Sequence, residues 1–251
     1  MEGHLIKIMQ NLKKMIVSIP PIRKFLESLN NEFVRDNWVQ AQLSKVQSGS
    51  VILDAGCGAQ RYRKFCSRLV YKSQDFCAYV EDEKASLCDR VGGGGGYKYG
   101  DVDYIGDIWS INEKDLYFDV VLCTEVFEHI PFPNETIKEF SRLLKNNGKL
   151  IITAPSNCMR HMDPYFFYSG FSDRYYEKIL SENGFKIITI NPVGDYYSWI
   201  AVELYRTIKS CNIFAKFILL PAFLYFYLKD KTEQSTNTLC MGYHVLAEKI
   251  S

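Results

Sequence analysis

Residues 51–58 read Val-Ile-Leu-Asp-Ala-Gly-Cys-Gly, an apolar run that ends in a carboxylate and two glycines at alternate positions. A strand turning through Gly56 and Gly58 lets the backbone approach a ligand, because neither residue has a Cβ. A phosphate cradle would need a Lys-Ser or Lys-Thr pair after the glycines, and a dinucleotide fingerprint a third glycine at position 61, which is Arg61. The pattern fits a zwitterionic amino-acid tail instead, with the ammonium met by Asp54 and the carboxylate by backbone amides. Asp75 ends the next expected strand, where an acid can accept both hydroxyls of a ribose. Asp107 ends the third, placed to accept from an adenine amino group. One such acid alone is most simply a turn or a helix cap. Three at successive strand ends describe an adenosyl pocket, since ligands of open α/β sheets sit at those carboxyl ends.

A second cluster follows the strand Phe118-Asp119-Val120-Val121-Leu122-Cys123. Glu125, Glu128 and His129 stand at i, i+3 and i+4, so a helix starting at Glu125 would set all three on one face. Two carboxylates and an imidazole suit Mg²⁺, Mn²⁺ or another borderline divalent ion. His161, in the loop after the fifth expected strand, would reach the same rim. Two other readings stay open: His161 or His129 as a metal-free base, or residues that only cap a helix and line the pocket.

The elements that would position these groups alternate. Strands are expected at 51–55, 70–75, 102–106, 118–123, 148–154, 185–191 and 242–248, with helical patterns between several of them, notably 134–145, which Asn146-Asn147-Gly148 should stop. That alternation predicts an α/β fold with a parallel sheet, its last strand entering antiparallel. Residues 1–48 read as a helical N-terminal extension, broken at Pro20-Pro21; residues 49–251 form the main domain, with a helical insertion at about 195–238. The five glycines Gly92 to Gly96 read as a mobile loop. Arg61, Arg63, Lys64, Arg68 and Lys72 read as a solvated helix face, with a pyrophosphate contact as the minority view.

With 251 residues and 47% apolar content the chain can bury one sizeable core. Its net charge of +1 speaks against a grip on long nucleic acid. The eight cysteines show no paired metal spacing, so free thiols in a reducing compartment are expected. Met1 to Pro20 lacks a continuous signal-peptide core, which makes a cytoplasmic location the expectation. Ile213 to Leu228 is nearly all apolar, with Lys216 and Pro221 inside it, yet falls short of the roughly 20 residues a membrane span needs. A helix buried under a lid or packed on a partner is the first reading of it, a peripheral membrane contact the second.

The segments Leu53 to Gly58, Gly106-Asp107-Ile108, Phe118 to Leu122 and Leu143 to Leu150, in that order, resemble the successive motifs of class I S-adenosylmethionine-dependent methyltransferases. The resemblance covers roughly residues 48 to 195 and the last strand. It implies a three-layer, Rossmann-like, seven-stranded sheet with one antiparallel strand and S-adenosylmethionine as cofactor. The cofactor set it implies is Asp54, Gly56, Cys57, Gly58 and Asp75, then Asp107, Ile108, Cys123 and Glu125. Ala59 departs from the third glycine of many relatives, and the five-glycine loop maps onto no family element. His161 to Ser172 is similar to a bacterial subgroup linked to surface-polysaccharide and sugar modification. The acid–acid–histidine spacing with a later histidine resembles metal-dependent small-RNA 2′-O-methyltransferases, and ubiquinone-pathway O-methyltransferases share its first part. In those families the ion holds substrate oxygens. The resulting expectation is an O-methyltransferase for a carbohydrate hydroxyl, of a nucleotide-activated sugar in polysaccharide biosynthesis. The alternatives are a lipid, quinone or other small-metabolite acceptor, an RNA 2′-hydroxyl, or a binding protein that keeps the fold without the reaction.

Overall fold

The computed structural model describes residues 31–79 and 99–250. The expected helices before residue 31 and the glycine run 92–96 lie outside the described residues. Helix α1 (Asn31–Leu43) is followed by β1 (Val51–Ala55), β2 (Val70–Asp75), β3 (Tyr104–Ile105), β4 (Phe118–Thr124), α2 (Pro133–Leu143) and β5 (Leu144–Pro155). Then come α3 (Asp173–Glu182), β6 (Phe185–Val193), α4 (Tyr196–Ser210), α5 (Ile213–Tyr227), α6 (Glu233–Thr238) and β7 (Gly242–Lys249).

The sheet has seven strands in the order β3-β2-β1-β4-β5-β7-β6. β1 pairs parallel with β2 and with β4, and β7 lies antiparallel between β5 and β6. The predicted single reversed strand is therefore present. Its central strands read as nearly continuous apolar runs because both faces are covered. Side chains alternate with a period of two. Leu53, Ala55, Val121, Cys123, Leu150 and Ile152 join one core with Ile137 and Phe140 of α2 and Tyr176 and Leu180 of α3. Ile52, Val120, Leu122 and Ile151 face the other way, against Val39 and Leu43 of α1. Helix α1 thus belongs to the sheet's packing.

Several boundaries differ from expectation, the start of β5 by the most. Helix α2 opens with Pro133, whose missing amide hydrogen costs nothing in a first turn. It stops at Leu143, and Asn146-Asn147-Gly148 falls inside β5. Asn147 has φ 63° there, and the pairing with β4 shifts register between Phe118 and Val120. A side chain at position 148 would come 2.7 Å from the Lys145 carbonyl oxygen, so the glycine serves a bulge and not a helix end.

The insertion between β6 and β7 is helical as expected. Its three helices carry side-chain N-caps: Asp195 accepts from the Ser198 amide, Asn212 from that of Ala215, and Thr232 from that of Ser235. Asp195 also accepts from Ser235 Oγ at 2.6 Å, which ties the start of α4 to α6. Because β6 ends and β7 begins at the carboxyl edge of the parallel strands, the insertion rises from that edge. Among the described residues no helix is long and apolar enough to cross a membrane.

Candidate active site

Strand order reverses between β1 and β4, so a crevice must open beyond their carboxyl ends. A cleft of about 640 Å³ lies there. Asp54, Gly56, Cys57 and Gly58 of the β1 turn line it, with Asp75 after β2 and Asp107 and Ile108 after β3. Thr124, Glu125 and His129 line it from the β4 side. Of the expected cofactor residues only Cys123 is not among them. It is fully buried, on the same face of the sheet as Leu53 and Ala55, and Thr124 lines the cleft in its stead.

The β1 turn is held from β2. The amides of Gly56 and Cys57 donate to the Gln74 carbonyl at 2.8 and 3.0 Å, and the Gly58 amide donates to Asp75 Oδ2 at 2.8 Å. Gly56 has φ +70°, and a Cβ on it would lie 2.5 Å from a Val126 methyl carbon. Its absent side chain therefore makes room for Val126, not for a ligand. Asp54 is buried and accepts from the Tyr71 hydroxyl at 2.6 Å. Burial pushes its carboxyl up to about 7; the Tyr71 hydrogen bond opposes this and the nearby Asp75 adds to it. Asp75 is also raised by burial, against amide hydrogen bonds from Gly58 and Cys77.

No helix begins at Glu125. That residue has φ 52°, and a single 3₁₀ turn, Phe127–His129, follows it. The expected common helix face is absent, and the two acids part. Glu125 accepts from Thr153 Oγ1 at 2.9 Å and pairs with Arg35 of α1 at 3.3 Å. Glu128 points inward and is 1% exposed, and its Oε2 has no hydrogen-bond partner among the described residues. Burial drives its carboxyl well upward, and the neighbouring Glu125 adds to the effect.

The loop after β5 brings His161 to this turn. It is fastened by the Phe167 and Tyr168 amides, which donate to the Glu128 carbonyl at 2.9 and 3.2 Å. The His129 and His161 rings lie 4.6 Å apart and nearly perpendicular. His129 Nδ1 is 2.7 Å from the Tyr165 carbonyl oxygen, and His161 Nδ1 is 2.8 Å from that of Met159. A carbonyl can only accept, so each Nδ1 carries a proton; in the neutral ring that leaves Nε2 as the ligand atom, the tautomer of metal-bound imidazoles. Ligand atoms of Glu128, His129 and His161 all lie within 4.8 Å of one another. Donors on one ion at about 2.1 Å stand roughly 3–4 Å apart, so small adjustments would let these three close on a cation. Glu125, the fourth expected ligand, is not among them.

The rim is aromatic, with Phe76, Trp109, Tyr165 and Phe167. Three members of the basic run pair with neighbouring elements at the surface of the fold. Arg61 pairs with Glu32 and Asp36 of α1, Arg68 donates to the Leu43 and Ser44 carbonyls, and Lys72 binds Asp103 at 2.8 Å. Arg35 is a cleft residue that sequence reasoning missed; its segment carries no motif, and only the folding of α1 onto the sheet brings it in.

A model described as a methyltransferase domain matches residues 26–190. The chain belongs to that family. It carries a methyltransferase domain on the seven-stranded sheet that the motifs implied. A ubiquinone biosynthesis O-methyltransferase of Xanthomonas oryzae is 30% identical over 131 residues, 52% of each chain. One from Coxiella burnetii is 28% identical over 121 residues, 48% of this chain and 49% of that one. The chain spans about half the length of these curated relatives. Among solved structures, phosphoethanolamine N-methyltransferase 2 of Haemonchus contortus, in complex with S-adenosyl-L-methionine, matches with a TM-score of 0.50 at 17% identity, over 89% of this chain and 55% of that one. The [4+2]-cyclase SpnF matches with a TM-score of 0.52 at 17% identity, over 86% and 80%. A cyclase on the same fold means that the reaction must be argued from the site.

Proposed function

We propose that this chain is an S-adenosylmethionine-dependent O-methyltransferase for a small, oxygen-rich acceptor, and that Glu128, His129 and His161 hold a divalent cation beside the cofactor cleft. The observation that carries this reading is the buried, unpartnered Glu128 Oε2 next to two imidazoles whose Nδ1 protons are both committed to carbonyls. An ionised carboxylate in that position needs a cation, and Mg²⁺ or Mn²⁺ fits a carboxylate with imidazole donors. Such a cation supplies charge that lowers the pKa of an acceptor hydroxyl.

The chain's own residues do the rest. Asp54 meets the ammonium of the cofactor's amino-acid tail, and Arg35, in the same cleft, meets its carboxylate. Asp75 retains lone pairs for the ribose hydroxyls beyond the two amides it already accepts. Asp107 and Ile108 face the adenine. In the transfer the acceptor oxygen forms a bond to the methyl carbon as the sulfur–methyl bond breaks, and the sulfonium becomes a neutral thioether. The acceptor proton leaves to solvent. A metal-free route, with Nε2 of His161 or His129 as the base, is the second reading of the site.

The acceptor we favour is a carbohydrate hydroxyl of an activated sugar, whose apolar ring face suits the aromatic rim. A catechol-type quinol is the rival, favoured by the names of relatives matched over about half their length. Methyl transfer from labelled S-adenosylmethionine to nucleotide sugars and to quinol precursors, after chelation and with Mn²⁺ or Mg²⁺ restored, tests both. Cation-dependent labelling of a sugar supports the proposal. Labelling of the quinol alone moves the acceptor to the rival class, and activity indifferent to chelator and metal removes the cation.

A further inference from the structure

Helix α5 breaks the rule that a helix touching water has a polar face. Its only charged residue is Lys216. One side packs on α4, where Phe223 is buried with Ala201 and Val202 and lies 6.1 Å from the Tyr205 ring. The opposite side is apolar from end to end. Phe214, Phe217, Ile218 and, just past the helix, Leu228 are each 72–77% exposed. Counted from Phe214, the others stand three, four and fourteen residues on, and on a helical wheel all four fall in one arc. A continuous apolar strip of this kind marks a surface that something covers.

We infer that this face lies in the interface of an anionic lipid bilayer, parallel to the membrane plane. Length excludes a span: 15 residues make about 22 Å of helix, against about 30 Å of hydrocarbon. Charge selects the occupant. Lys209, Lys229 and Lys231 flank the strip at its two ends and are exposed, with Asp230 the single acid between them, so the segment 209–231 is basic. Lys229 lies over the Tyr225 ring at 4.9 Å, an amphipathic aromatic and a cation together at the edge of the strip, as membrane-interface anchors are arranged. A second copy docked face to face would oppose these lysines to one another, whereas anionic headgroups neutralise them. The insertion rises from the same sheet edge as the cleft, so a membrane-bound molecule keeps the active-site side of its fold near the lipid surface. The inference does not depend on the choice of acceptor or of metal.

Co-sedimentation of the full chain with sucrose-loaded vesicles tests it, using equal parts phosphatidylethanolamine and phosphatidylglycerol against phosphatidylcholine alone. The chain should pellet with the anionic vesicles and be released by salt. The double variant Phe217→Asp with Ile218→Asp should bind ~10-fold or more weakly, and so should Lys229→Glu with Lys231→Glu. Both should keep the wild-type melting temperature and affinity for S-adenosylhomocysteine, which shows that the fold survives. Wild-type chain left in the supernatant overturns the inference, as does an aspartate variant that pellets like wild type. A dimer in light scattering that the aspartate variant dissociates, without vesicle binding, assigns the face to a second copy and overturns it too.

Discussion

Replacing Asp54 by Asn should make the protein more stable and a poorer binder of its cofactor, with both effects governed by pH. The carboxyl is buried and held at about 7, against an ordinary value of 3.8. Through the interval between those values the unfolded chain ionises while the folded carboxyl keeps its proton. The folded state then binds more protons, so stability is full below about pH 4 and is lost as pH rises toward 7. At 1.36 kcal/mol per pH unit, about three such units amount to ~4 kcal/mol, which relaxation and water entry would trim. Asparagine keeps the shape and can still accept from Tyr71, but it has nothing to ionise. Asp54→Asn should therefore gain ~1–4 kcal/mol over wild type at pH 8 and almost nothing near pH 4. Binding runs the other way. If only the carboxylate receives the ammonium, wild-type affinity for S-adenosylhomocysteine is level above pH 7 and falls ~10-fold per unit below it. The asparagine variant should bind ~10–100-fold more weakly at pH 8, with a flat profile. Thermal melts and calorimetry over about pH 5 to 8 measure both quantities on one sample. A wild-type affinity that does not change across that range refutes the reasoning, as does a variant whose stability follows wild type at every pH.

Three other substitutions probe separate parts of the site. Glu128→Gln and His161→Ala should each abolish the response of turnover to Mn²⁺ or Mg²⁺ while S-adenosylhomocysteine binds as in wild type; retained metal stimulation would remove these residues from the cation site. Arg35→Met should weaken S-adenosylhomocysteine ~10-fold or more in calorimetry with little change in kcat at saturation, and unchanged affinity would free Arg35 from the tail carboxylate. Gly56→Ala should lower the melting temperature through both its φ of +70° and its clash with Val126, and Val126→Ala should restore only the share due to the clash; complete rescue would mean that the backbone conformation carries no cost.

How much of this was legible depended on how local the cause was. The bounds of β1 and β2 match their expected ranges because an apolar run followed by Gly-Cys-Gly or a lone acid is a short-range signal. The position of Cys123 was also readable in principle: counting by twos from Val121 sets it on the core face, away from the cleft. What defeated sequence reasoning came from partners far along the chain. Asn146-Asn147-Gly148 looks like a helix stop, yet pairing with β4 extends β5 through it. Gly56 looks like a ligand contact, yet Val126 claims the space beside it.

The acid pair shows the same physics at the point where function turns on it. Glu125 and Glu128 are equivalent in sequence, two carboxylates of one motif expected on one face. Arg35, 90 residues before the first of them, separates them. By pairing with Glu125 in the cleft it leaves Glu128 as the inward acid, buried beside His129 and His161, with His129 Nε2 3.7 Å from its Oε1. Helix α1 thus does more than cover the sheet. On the proposed reading it sets which carboxylate serves the cofactor cleft and which is left for a metal, a division that no spacing rule within residues 125–129 contains.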